Sequence, residues 1–274
     1  MKIKKLVSLL FIPCLAWVVF AASQVYAQEF NFTKAKADYI FQSDNYKNAL
    51  FDFNSKKDSY NKNQTLSLKE ELRISLLNFV GIRNEFIKSY LNLLRTKTVE
   101  AAGLGEAQKQ SIYTQLDKEV VWYDSRENSY SKDNTLEDIL NKSKEEDSRY
   151  ETETDPAIKY TLAYLSYSDI TLLKNKHLEI YKKLKTESET LVGLKRADQN
   201  LFKRWFDDID RELSNLEAVE KEAVDATAKI YAEESWERRK SYENVVEILQ
   251  KSISNLSRLN NFIKELETVI KNIR

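Results

Sequence analysis

An elongated bundle of about five or six long antiparallel helices is the fold class this sequence predicts, and three observations predict it. After residue 27 the only glycines and prolines are Gly81, Gly103, Gly105, Gly193 and Pro156. A sheet protein of this length needs many more residues suited to tight turns. Charged residues make up 31% of the chain, as expected of long helices that keep one face in water. Phe32, Tyr39, Tyr46, Phe53 and Tyr60 recur at seven-residue intervals, which holds one helical stripe against a partner in a coiled-coil-like seam.

The first element is a leader. Lys2, Lys4 and Lys5 precede an apolar run from Leu6 to Ala22, and Val25-Tyr26-Ala27 puts small residues at −3 and −1 of a cleavage site. Residues 1–27 therefore read as a signal peptide, which makes the mature chain 28–274 exported, periplasmic or extracellular, in a bacterial-type cell envelope. Retention of the leader as an N-terminal anchor is the competing reading; the apolar run falls short of the roughly 20 residues of a spanning helix. Cys14 sits inside the apolar run without the preceding small residue that lipid attachment requires.

Removing three lysines from a precursor with 43 basic and 43 acidic side chains leaves a net charge of −3. A slightly acidic exported chain lacks the electrostatic footprint of a nucleic-acid partner. The single cysteine and the single methionine leave with the leader, so the mature chain has no disulfide and no thiol nucleophile.

The aromatic heptads make 32–60 the first helix, with Ala35 and Ala49 leaving room for facing rings. A second helix starts near Thr65 or Ser67, where Ser67-Leu68-Lys69-Glu70 fits a capping box. Its stripe is Leu72, Leu76, Phe79, Arg83, Phe86, Tyr90 and Leu93, and Gly103 and Gly105 end it. The third carries Tyr113, Leu116, Val120, Tyr123 and Tyr130 on one face.

Residues 131–157 hold nine acids against four bases and read as an acidic connector with one short helix. Two sub-bundles, 28–130 and 158–274, are one organisation that fits; a single bundle is the other. Asp155-Pro156 marks a helix start, with aspartate as cap and proline in the first turn. The helix from there to Gly193 is apolar nearly all round, which places it centrally. Asp198 caps the next helix, with seam Phe202, Phe206, Ile209, Leu213, Leu216, Ala223 and Ile230. The last seam runs from Tyr242 through Val245, Leu249, Leu256, Leu259, Ile263, Leu266 and Ile270 to Ile273, in a register offset by one residue. The pattern leaves open a turn or a stutter near Trp236.

The chemistry-bearing inventory is short. His177, the single histidine, falls between Leu173 and Ile180, where a polar group fixes register or acts as a pH-sensitive seam residue. One histidine and no cysteine leave neither a zinc set nor a nucleophile–base pair with local support. Glu151, Glu153 and Asp155 alternate like the start of a calcium loop, but proline follows where glycine is needed. No phosphate-binding glycine motif occurs, and no catalytic residue, cofactor or metal site is assigned.

The expected function is therefore non-enzymatic: protein–protein contact or self-association through helical faces, as an envelope scaffold, spacer or adhesion module. No segment of the mature chain reaches membrane-spanning length. The alternative is an extracytoplasmic bundle that binds a small molecule or glycan, with Tyr160, Tyr164, Tyr167, Trp122 and Trp205 as the contacting rings.

Overall fold

A computed structural model describes residues 31–232 and 235–273; the leader assigned to residues 1–27 lies outside the described residues. Among these residues the chain is helical, without strands. Helix α1 is Phe32–Lys62, α2 Leu66–Glu100, α3 Glu106–Glu127 and α4 Leu136–Arg149. A five-residue π-helical turn, Tyr150–Thr154, leads into α5, Asp155–Gly193. Two further helices follow, α6 over Gln199–Ala232 and α7 over Ser235–Ile273.

The spine of the molecule is α4, the π turn and α5, which form one unbroken helix. Arg149, Tyr150, Thr154 and Asp155 all have right-handed helical backbone angles. Asp155-Pro156 is thus not a helix start. Proline in a helix interior lacks the N–H donor, and its ring collides with the carbonyl four residues back. Widening the preceding turn to the π register, in which the Asp155 N–H reaches the Tyr150 carbonyl, lets the helix pass through Pro156. At about 1.5 Å per residue the spine is on the order of 85 Å long.

Short polar pairs along the spine fix what packs on it. Helix α3 lies antiparallel to its first half through Arg126–Glu145, Arg149–Glu119, Ser111–Tyr160 and the approach of Gly103 to Ser168. Helix α2 meets α4 through Arg83 with Glu146 and Asp147. The second half carries α6, antiparallel through Lys174–Glu220, and α7, parallel through His177–Asn260 and Lys159 over the Tyr242 ring. The offset seams of α6 and α7 belong to two helices that run antiparallel: Trp205 bonds Glu265 and Arg258 bonds Glu212.

The seams become cores. Phe202, Ile209, Leu216, Ala223 and Ile230, seven apart, are all buried against α7's Val245, Leu249, Leu256, Leu259, Ile263, Leu266 and Ile270. A second cluster joins Ile87, Leu91 and Leu94 to Ile112, Leu116, Tyr123, Ile158 and Tyr164. The third sits at the α1–α2–α4 end around Ala49, Leu76, Phe79, Val80 and Ile139. Fully burying one such aliphatic side chain contributes roughly 1.5–3 kcal/mol.

Local details depart from the sequence reading. Thr65, not Ser67, caps α2 by accepting from the Leu68 N–H, and Glu70 pairs with Arg73 instead of closing a box. Helix α3 stops at Glu127, which leaves Tyr130 in the following turn. The acidic segment is mostly helix α4, capped reciprocally by Thr135 and Asp138; its Ile139 and Glu146 are buried.

Candidate functional site

Helix α1 packs on α2 through aromatic rings. Tyr46 stacks on Phe86 with centroids 5.1 Å apart, Tyr39 on Phe86 at 5.5 Å, and Phe53 on Phe79 at 5.3 Å. Only Ala49 of α1 is buried, so these rings fill a half-open seam. Where the seam meets the π turn lies a cleft of about 530 Å³. Its walls are Tyr46 from α1; Phe79, Phe86, Ile87 and Tyr90 from α2; Tyr123 from α3; and Tyr150 and Ile158 from the spine. Arg83, Glu146, Asp147 and Glu151 supply the polar part of the lining.

The polar wall is built in two layers. Glu146 is buried and receives the Arg83 and Asn84 side chains, with the Arg126 guanidinium 3.5 Å away. Asp147, more exposed, holds the other arm of Arg83 at 2.7 Å. Deeper, Glu119 is 2% exposed and takes both Arg149 Nη2 at 2.6 Å and Nε at 3.1 Å. The Thr154 hydroxyl donates to the same carboxylate at 2.9 Å and lies 3.2 Å from the Tyr123 hydroxyl. A buried carboxylate is stable only when its oxygens are satisfied in this way. Glu119 thereby ties the last residue of the π turn to α3 and fixes the cleft wall that carries Tyr150 and Glu151.

Three phenols of the cleft, Tyr90, Tyr123 and Tyr150, are held neutral. Burial pushes the Tyr123 hydroxyl up to about 12 against its hydrogen bond with Thr154. Burial also raises Tyr90, helped by the neighbouring phenols of Tyr39, Tyr150 and Tyr242. Tyr150 rises through burial and then through Asp155 and Tyr46. The cleft therefore offers aromatic faces, neutral hydroxyls and carboxylates, and its only lining cation is already bonded twice.

The rings singled out from the sequence are elsewhere. Tyr160, Tyr164 and Tyr167 form consecutive edge-to-face contacts of 4.8 and 6.5 Å along α5, with Tyr164 buried. The Tyr160 hydroxyl is 3.0 Å from Ser111 Oγ. Trp122 packs edge-on against Tyr123, with Arg149 5.3 Å from its ring centre. Trp205, half-buried on α6, donates to Glu265. None of these five lines the cleft. His177 sits at the edge of the α5–α7 seam, with Nδ1 2.8 Å from its own helix's Leu173 carbonyl and Nε2 3.3 Å from Asn260 Oδ1. Leu173 and Ile180 beside it are both exposed, so the apolar seam expected around the histidine is not closed there. Glu153 and Asp155 of the acidic trio are engaged by Lys118 at 3.0 Å and Lys159 at 2.6 Å.

Among the described residues no group of three or more metal-ligating side chains converges, and no helix is long and apolar enough to cross a membrane. The cleft residues were visible in the sequence only as members of packing stripes. Tyr46 belongs to the heptad ladder, Phe79, Phe86 and Tyr90 to the α2 stripe, and Glu151 to the acidic trio. Ring packing between α1 and α2 gathers Tyr46, Phe79 and Phe86, and the π turn, which periodicity does not encode, adds Tyr150 and Glu151. Comparison with protein-family models, with curated proteins and with solved structures gives no match to this chain.

Proposed function

We propose that this chain is an exported, non-enzymatic helical binding protein that captures a small ligand in the cleft between α1, α2 and the π turn. The observation that carries the reading is the lining. Six aromatic side chains and two isoleucines surround a volume of about 530 Å³ beside a fixed charged network. That size and composition match sites that enclose small molecules. A nucleophile, a paired general base and a metal set are missing from the residues around it, so retention of a ligand is the task its groups suit. Export rests on the leader, with processing after Ala27.

The test is a thermal-shift screen of chain 28–274 against saccharides, organic cations, amphiphiles and amino acids, with Phe86→Ala alongside. A ligand at one hundred times its Kd adds about 2.7 kcal/mol, or a Tm rise of roughly 5–10 °C for a chain of this size. The expected result is a rise with one class that Phe86→Ala abolishes. No rise with any class sinks ligand capture.

A second reading, protein contact along a helical face, draws on one observation. The outer side of α1 leaves Ile40, Phe41 and Phe51 between 51% and 76% exposed, and exposed apolar groups gathered on one element suit a partner surface.

A further inference from the structure

We infer that the cleft takes a small organic cation of the trimethylammonium or alkylammonium kind, an inference that rests on the ligand-capture reading and narrows it to one chemistry. Ring faces carry negative quadrupole density and attract such cations, by up to about 2 kcal/mol where water is excluded. Tyr46, Tyr90 and Tyr150 bring such rings to the cleft from three different elements, with Phe86, already stacked on Tyr39 and Tyr46, behind them.

Charge points the same way. The lining holds one positive side chain, Arg83, against Glu146, Asp147 and Glu151. Arg83 is committed to Glu146 and Asp147. Glu151 is exposed and, among the described residues, has neither an ion-pair nor a hydrogen-bond partner. Three further cations on these elements are likewise engaged: Lys159 by Asp155, Arg149 by Glu119, and Lys88 by Glu85, Asp124 and Glu127. An entering cation meets π faces and a free carboxylate, and the one cation that lines the cleft is already paired. An anion meets a wall with two surplus negative charges. A neutral sugar stacks on the rings but leaves Glu151 without a counter-charge.

The probe is choline, titrated calorimetrically into chain 28–274 at low ionic strength beside dimethylbutanol, its uncharged carbon isostere. Expected is saturable binding of choline roughly tenfold tighter than the isostere, weakening as salt is added. Glu151→Gln removes most of that preference without changing the isostere's affinity, and Tyr150→Ala weakens both. Each variant is checked for native helicity by circular dichroism; Glu151 is exposed and Tyr150 partly so. Equal affinity for choline and isostere overturns the cation assignment while leaving ligand capture standing. A folded protein that binds neither overturns it as well, as does a Glu151→Gln chain with undiminished preference. The same headgroup occurs free and on lipids. Co-sedimentation with phosphatidylcholine but not phosphatidylglycerol vesicles identifies the lipid source, and choline binding without vesicle binding identifies the free cation.

Discussion

Gly103 has an ordinary backbone conformation, since no glycine here has positive φ, so its role is one of space. A Cβ on it would lie 2.2 Å from the Ser168 carbonyl oxygen, an atom of the spine's own backbone. Its N–H donates to the Ser168 hydroxyl at 3.0 Å. Gly103→Ala must therefore push the α2–α3 loop off α5, an overpacking cost of about 2 kcal/mol, or roughly 4–8 °C in Tm for a chain of this size. Thermal denaturation reads it; an unchanged Tm would show that the loop gives way freely. The sequence marked Gly103 as a helix stop but not as a point of close approach, because spacing does not report which backbone arrives from elsewhere. Gly193 ends α5 where the sequence placed the end of that helix. The left-handed position that closes α5 is Lys195, at φ 55°, with the Arg196 N–H on the Leu191 carbonyl and the Lys195 N–H on Val192. Gly193 itself is in the last helical turn. A lysine tolerates that conformation at modest cost when two backbone bonds hold it.

At the level of elements, α1 and the α6–α7 hairpin are built from the same seven-residue spacing with opposite outcomes. In α6 the repeating positions are buried between two neighbours, whereas in α1 they are half-buried, chiefly against α2. Periodicity identified both helices because one stripe suffices to mark a contact. It could not count the neighbours, and that number decides how deep the stripe lies. The α2 helix shows the converse: its stripe toward α1 was readable, while Val80, Ile87, Leu91 and Leu94, which face α3 and the spine, were not separated from it. Segments with few buried contacts open first. Amide exchange should accordingly be faster throughout α1 than in α2, by tenfold or more for an opening free energy lower by about 1.4 kcal/mol. Equal protection in the two helices would mean that they open as one unit.

For the molecule as a whole, rising alkali withdraws stabilisation held by buried polar groups. Burial raises the phenols of Tyr130, Tyr164 and Tyr181 as well as Tyr123. Lys88 is also raised: burial alone would lower it, but Asp124, Glu85 and Glu127 together outweigh burial. In each case the folded chain holds its proton more tightly than the unfolded chain. Their stabilisation is thus complete below pH 10.0, the usual phenol value, and is lost as pH climbs from there through about 12 for Tyr123. Denaturant titrations at stepped pH, with phenolate absorbance followed in parallel, should show stability falling across that window. Phenols that all ionise near pH 10.0 in a fully helical protein would contradict it.

The unbroken run from α4 into α5 carries a mechanical corollary. Gly193 lies roughly 57 Å beyond the π turn at 1.5 Å per residue, so a tilt of about 5° at that turn displaces it by about 5 Å. Tyr150 and Glu151 border the cleft at the fulcrum of this lever. Whatever sits between them and Phe86 is placed to set the angle of a distant end it never touches.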